Sequence, residues 1–219
     1  ALLDLMMTLT KDIADFEEEK QRTHDRDVLD MIDVTTGDLV ATGIAAQALS
    51  KGDKAPTFTL PDHLGNMVRS ADLLAAGPVL INFYRGNWCP YCNLELRAYQ
   101  THLDRIKKAG ATLIAISPML PDNSMEIAEK NDLAFPVLSD VGNKVANDFG
   151  LVFTVDSRIQ AMYLQRLGND LPTLNGDDSF TLPLPATYVI GQDGVITYSY
   201  VNADYRLRAD PEDVLAALG

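Results

Sequence analysis

Asn87-Trp88-Cys89-Pro90-Tyr91-Cys92 carries both cysteines of the chain and marks a change of period. Upstream, Val79-Leu80-Ile81-Asn82-Phe83-Tyr84 is a short apolar run between Gly77-Pro78 and Gly86, which predicts a buried strand. Downstream, Leu96, Tyr99, Leu103 and Ile106 recur at helical spacing. Gly110 supplies a stop, and Lys107 and Lys108 sit where cations suit the helix dipole. The cysteine pair therefore opens a helix that follows a strand.

That position bears on reactivity. Pro90 suits the first helical position and leaves the free N–H groups of the first turn near the thiols, which favours thiolate. A free thiol ionises near pH ~8.5, whereas a cysteine of a C-x-x-C pair at a helix N-terminus is nucleophilic near neutrality. Two sulfurs on one turn can also close a small disulfide ring, which makes a two-electron switch. Structural zinc is the first alternative, but it needs four ligands and there is no second pair. His102 lies about 15 Å along the same helix from Cys92, and His24 and His63 have no placement from sequence. A purely structural disulfide is the second alternative, and so small a loop constrains the unfolded chain little.

Composition narrows the setting. The 219 residues suffice for one well-packed domain with an appendage. The formal charge of −13 argues against nucleic acid or an anionic membrane as partner. No stretch approaches the roughly 20 apolar residues of a membrane span, and no basic, apolar leader opens the chain as written. A cytoplasmic, reducing setting is the expectation, since the two cysteines occur only as this pair.

Working outward, Leu2, Met6, Leu9, Ile13 and Phe16 predict an amphipathic first helix ending in the solvated run Glu17-Glu18-Glu19. A second helix is expected over 26–32 and a third over 39–49, with Gly37 and Gly43 as weak points. This segment, residues 1–50, reads as a helical extension that packs on its own domain or on a second copy, so a homodimer is one expectation. Residues 51–219 read as the main domain. A hairpin joins 58–60 to 67–69, Ser70 caps a short helix, and a strand over 111–116 completes a strand-helix-strand crossover. Asn123 and Glu126 suggest a capping pair, Asp140 caps a further helix closed by Gly150, and 159–167 is helical. Residues 169–185 read as a long loop, either gating the site or an ordinary surface excursion. Strands over 186–190 and 195–200 flank Gln192-Asp193-Gly194, and Asp210-Pro211 starts a last helix.

A hairpin, a β-α-β unit with C-x-x-C at the helix start, and a later hairpin and helix form the thioredoxin arrangement. Lys51-Gly52-Asp53-Lys54-Ala55-Pro56-Thr57-Phe58-Thr59-Leu60-Pro61-Asp62 resembles the opening of the peroxiredoxins of the alkyl hydroperoxide reductase and thiol-specific antioxidant (AhpC/TSA) superfamily. So do Glu129-Lys130, then Phe135-Pro136-Val137-Leu138-Ser139-Asp140, and Val145-Ala146-Asn147-Asp148-Phe149-Gly150. The chain resembles a peroxiredoxin-like subgroup with a thioredoxin-type cysteine pair. The resemblance implies an α/β, thioredoxin-like fold, with a central mixed sheet flanked by helices.

The departures lie at the site. Peroxiredoxins carry Pro-x-x-x-Thr-x-x-Cys; with Cys92 on their peroxidatic cysteine, Cys89 replaces the threonine and Arg85 the proline. Their catalytic arginine falls at Pro185, which resembles instead the cis-proline facing the cysteines of thioredoxins. The Pro90-Tyr91 spacer is that of glutaredoxins. The resemblance implies a thiol-based oxidoreductase cycling Cys89 and Cys92 between dithiol and disulfide, with Cys89 the exposed attacker and Cys92 resolving. The alternative is a thiol peroxidase in which Cys92 attacks a hydroperoxide and Cys89 resolves. A redox sensor or metal carrier is a third reading. Trp88 and Tyr91 would wall the site, Pro185 would shape the opposite wall, and Arg85 either replaces lost donors or is a surface cation. No cofactor is implied. The partners would be a disulfide or hydroperoxide substrate and a reductant such as thioredoxin, glutaredoxin or glutathione.

Overall fold

The computed structural model describes residues 8–218. Leu2 and Met6, expected on the apolar side of the first helix, lie outside the described residues.

Five strands form the central sheet. They are Val79–Phe83 (β3), Thr112–Ser117 (β4), Val137–Ser139 (β5), Ala186–Ile190 (β8) and Ile196–Val201 (β9), in the order β5-β4-β3-β8-β9. β3 runs parallel to β4 and antiparallel to β8, so the strand leading into the cysteines lies at the centre. Every residue of β3 and β8 is buried, because helices and loops cover both faces and leave no polar side. Alternate residues divide between two cores. Leu80, Tyr84, Leu113, Ala115 and Val189 face one, and Ile81, Phe83, Ile114, Ile116 and Tyr188 face the other. This is the thioredoxin-like α/β fold that the strand order and the cysteine helix predict.

Pro90–Lys108 (α4) covers the first core with Leu96, Tyr99, Leu103 and Ile106, the four residues that set its period. Pro211–Ala217 (α9) packs beside it, started by Asp210, whose carboxylate accepts the Glu212 N–H. Leu9–Thr23 (α1) lies on α4 and runs straight through the acidic run. Of its apolar side, Leu9 is buried and Ile13 and Phe16 pack in part against the first core of this chain.

Several elements differ from expectation. Arg26–Ala41 (α2) is one helix, since Gly37 costs only about 1 kcal/mol in a helix that gains packing against Ser157–Gln165 (α7). The break comes at Gly43, in the left-handed region, and a 3-10 turn over Ile44–Gln47 follows. Thr59–Pro61 (β1) and Met67–Arg69 (β2) pair as expected, but Ser70 lies inside Ser70–Ala76 (α3), with its hydroxyl accepting the Phe58 N–H. Pro121–Lys130 (α5) begins two residues before Asn123. Asn123 and Glu126 form no capping pair, because their side chains go to the Leu174 carbonyl and to Asn87. Asp140 does cap Lys144–Asp148 (α6), accepting from the Val145 and Ala146 N–H groups. The stretch 169–185 is no open loop: it holds Leu171–Asn175 (α8) and Thr181–Pro183 (β7), which pairs with Val152–Thr154 (β6). Its Pro and Gly residues bound short elements instead of preventing them.

β3 enters through Gly77, where a Cβ would lie 2.3 Å from the Gly110 carbonyl oxygen. Both partners are backbone, so neither yields cheaply. Gly77→Ala is expected to destabilise the chain by about 1–3 kcal/mol, the usual cost of overpacking, read as a lower urea midpoint at unchanged m.

Candidate active site

Cys89 is the N-cap of α4, in an extended conformation, with Pro90 at the first helical position and Cys92 two residues further on. The turn is held from behind. The Asn93 side-chain amide donates to the carbonyls of Asn87 (2.8 Å) and Cys89 (2.9 Å), and Asn131 in turn donates to Asn93. Both cysteines are free thiols, and both are buried: Cys89 is 1% exposed and Cys92 fully covered. The expectation of an exposed Cys89 is therefore wrong. Aromatic side chains and the N-terminal helices close over the end of α4 that an open thioredoxin-type site would present.

Two guanidinium groups flank the pair. Arg208, just before α9, donates through Nη2 to the Cys92 sulfur at 3.3 Å, through Nε to the Tyr205 carbonyl at 2.6 Å, and through Nη1 to Glu95. The Arg208 and Glu95 side chains are both 2% exposed, so this is a buried ion pair. The Arg85 backbone N–H also points at the Cys92 sulfur, at 3.5 Å. Its side chain turns away to donate to the Tyr163 hydroxyl, with the guanidinium 4.1 Å from the Tyr205 ring centroid and 4.8 Å from that of Trp88. At 3% exposure Arg85 is not a surface cation. Gly86 permits this stack, because a Cβ there would fall 2.3 Å from the Trp88 indole nitrogen.

The charges follow from this surrounding. Burial raises both thiols. Against that, the Cys92 thiol as hydrogen-bond donor and the Arg85 and Arg208 charges bring Cys89 below its ordinary value. Cys92 is pushed up by burial and then by the neighbouring Cys89, the opposite direction from its partner. Burial likewise pushes the Glu95 carboxyl up to about 7, with Arg208 opposing.

Tyr91 is buried. Its hydroxyl accepts from Lys20 Nζ at 2.6 Å and donates to Glu17, and its ring meets Phe16 and Tyr205 edge-on. Glu17 thus leaves the solvated acidic run to serve the site wall. A cavity of about 200 Å³ reaches Cys89 but not Cys92, lined by Phe16, Ile32, Arg85, Trp88, Tyr91 and Tyr205 among others. Pro185 is absent from that lining. It is buried, and no cis peptide bond occurs among the described residues, so Leu184-Pro185 is trans. The segment is carried past in extended form, with the Leu184 N–H on the Leu151 carbonyl. Tyr163 and Tyr205 stand on the cavity wall instead.

Sequence reasoning singled out Cys89, Cys92, Trp88, Pro90, Tyr91 and Arg85, and the structure brings these together. It passed over Arg208, Glu95, Tyr163, Tyr205 and Lys20. Glu95 was within reach, being one turn from Cys92 on the same helix. Arg208 had no local signal. Among the described residues, no cluster of three or more His, Cys, Asp or Glu side chains is gathered that could hold a metal ion. His102 bonds to Glu212, His63 accepts the Val137 N–H, and His24 lines the Cys89 cavity.

The AhpC/TSA family model matches residues 51–199. Peroxiredoxin Q, chloroplastic, of Triticum aestivum is 33% identical over 163 residues, covering 74% of this chain and 64% of the wheat protein. The match thus spans less than two thirds of that relative. Peroxiredoxin Q of Sedum lineare is 31% identical, over 70% of each chain. Peroxiredoxin Bcp of Escherichia coli is 36% identical over 103 residues, 47% of this chain and 65% of that one. Among solved structures, peroxidoxin BcpB from Mycobacterium tuberculosis superposes with a TM-score of 0.60 at 24% identity, covering 78% of this chain and 96% of its own.

Two outcomes follow from the charge arrangement. Iodoacetamide alkylation of Cys89 is expected to have its pH midpoint below the ~8.5 of a free thiol, since a lowered value keeps thiolate present as pH falls. Arg208→Met should cost about 3–5 kcal/mol in urea unfolding because it strands Glu95, and adding Glu95→Gln should restore part of that while the alkylation midpoint stays above wild type.

Proposed function

The chain belongs to the AhpC/TSA family, and on that premise we propose that it is a thiol-dependent oxidoreductase that reduces hydroperoxides by cycling Cys89 and Cys92 between dithiol and disulfide. The observation that carries this reading is the burial of both sulfurs beneath a cavity of about 200 Å³ that opens onto Cys89. Such a space is smaller than the ~300–1,000 Å³ clefts that hold drug-sized ligands. A hydroperoxide fits it, whereas the disulfide of a folded protein cannot bring its sulfur in line with a covered thiol.

In the forward step the Cys89 thiolate attacks one peroxide oxygen. The O–O bond breaks, the sulfur becomes a sulfenic acid, and the leaving alkoxide or hydroxide takes a proton. Arg85 stands on the cavity wall, where its charge favours the developing anion. Cys92 then gives its sulfur to the Cys89 sulfur, S–S forms and water leaves. Two electrons from a dithiol of thioredoxin or glutaredoxin type, or from glutathione, return the pair to thiols. The buried disulfide favours a small thiol, or a protein whose docking first opens the site. A cytoplasmic, reducing compartment belongs to this reading.

A second reading reverses the roles, and one observation favours it: the direct donors, Arg208 Nη2 and the Arg85 N–H, lie on Cys92. There Arg208 would do the work of the family arginine that falls at Pro185.

Single-turnover mixing of reduced protein with hydrogen peroxide separates the two, with Trp88 fluorescence as the signal. Under the leading reading, Cys92→Ser reacts once and leaves a dimedone-trappable sulfenic acid on Cys89, while Cys89→Ser is as slow as a free thiol. The opposite pattern would establish Cys92 as the attacker. Neither variant nor wild type exceeding a free thiol would remove hydroperoxide as substrate and leave disulfide exchange.

A further inference from the structure

Residues 8–50 lie outside the stretch 51–199 that matches the family model, yet they close the thiol site. Phe16 on α1 and Ile32 on α2 line the Cys89 cavity. The Phe16 ring meets Tyr91 edge-on at 5.2 Å, and Lys20, 5% exposed, ties the Tyr91 hydroxyl at 2.6 Å with its ammonium 5.2 Å from the ring centroid. α2 is clasped to the body by charge pairs: Arg166 to Asp25 (2.7 Å) and Asp27 (3.1 Å), Arg158 to Asp38 (2.6 Å), and Arg206 to Asp33 (2.6 Å). Each such exposed pair is weak alone, but all hold the same helix over the same opening.

We propose that this N-terminal extension is a size filter on the thiol site. Phe16, Ile32 and the Lys20-anchored Tyr91 determine how bulky an oxidant reaches Cys89, so that small hydroperoxides pass where bulky ones do not. The proposal rests on the reading of Cys89 as the attacking thiol. Attack requires the O–O bond in line with the sulfur at about 3–3.5 Å, which forces the rest of the oxidant to lie along the cavity. Phe16 and Ile32 line that remaining space, and both come from elements held in place by side-chain contacts rather than by the sheet.

The test uses the full chain in its reduced form and reads size selection in two chemistries. In a Cys92→Ser background, Cys89 is alkylated with iodoacetamide and, separately, with a pyrene maleimide, and the adducts are counted by mass spectrometry. With both cysteines present, cumene hydroperoxide is compared with hydrogen peroxide in single turnover. Phe16→Ala and Ile32→Ala are each expected to raise the bulky-to-small rate ratio at least fivefold in both comparisons. Lys20→Met, which frees Tyr91 and keeps the apolar packing, should raise it in the same direction and guards against a truncation that fails to fold. Alkylation ratios within twofold of wild type in all folded variants would overturn the filter. If the alkylation ratio moves while no peroxide outpaces a free thiol, the filter stands and the hydroperoxide reading falls. Fast peroxide turnover with an unmoved ratio means the converse.

Discussion

Two guanidinium groups buried beside two thiols are the constraint on which the rest of this site depends. An unpaired buried charge is expensive, so Arg85 and Arg208 can sit here only because each is compensated. Arg208 is held by Glu95, by the Tyr205 carbonyl and by the Cys92 sulfur. Arg85 is held by the Tyr163 hydroxyl and by the faces of Trp88 and Tyr205. The sulfurs add to this compensation, since both guanidinium charges favour the Cys89 thiolate. Lowering a thiol and burying two cations are thus one physical event seen from two sides.

That arrangement needs parts from well beyond the central sheet. β3 and the start of α4 bring Arg85, Cys89 and Cys92 to one place, as the strand-to-helix junction dictates. Tyr163 comes from α7, Tyr205 and Arg208 from the segment between β9 and α9, and Phe16, Lys20 and Ile32 from the N-terminal helices. The frame of residues 51–199 therefore supplies the thiols, while flanking segments complete and cover them. The donors that the structure does place on a sulfur, the Arg85 N–H and Arg208 Nη2, both lie on Cys92. The cysteine pair thus lies beneath an aromatic and cationic lining, with both sulfurs buried.

Local pattern carried the fold far. The apolar run before Cys89, the four residues that set the α4 period and the Asp-Gly turn between β8 and β9 each record a near-neighbour rule, and each element formed where that rule puts it. Errors arose where packing overrode such rules. Gly37 sits within α2 because α7 rewards a continuous helix, and the Asn123 and Glu126 side chains found distant partners better than each other. The segment at 169–185 looked unstructured because a strand of three residues paired with an equally short partner leaves almost no periodicity to read.

The sequence by itself determined the α/β order and the position of both thiols at the start of a helix. These depend on residues within a few positions of one another, whose spacing is visible along the chain. Tertiary structure alone decided that the thiols are buried, that Arg208 reaches Cys92 across 116 positions, that Lys20 reaches Tyr91 across 71, and that Pro185 lies outside the cavity lining. Burial and long-range charge pairing are properties of the packed whole, set by which surfaces meet when the helices close on the sheet, and no window of sequence contains them.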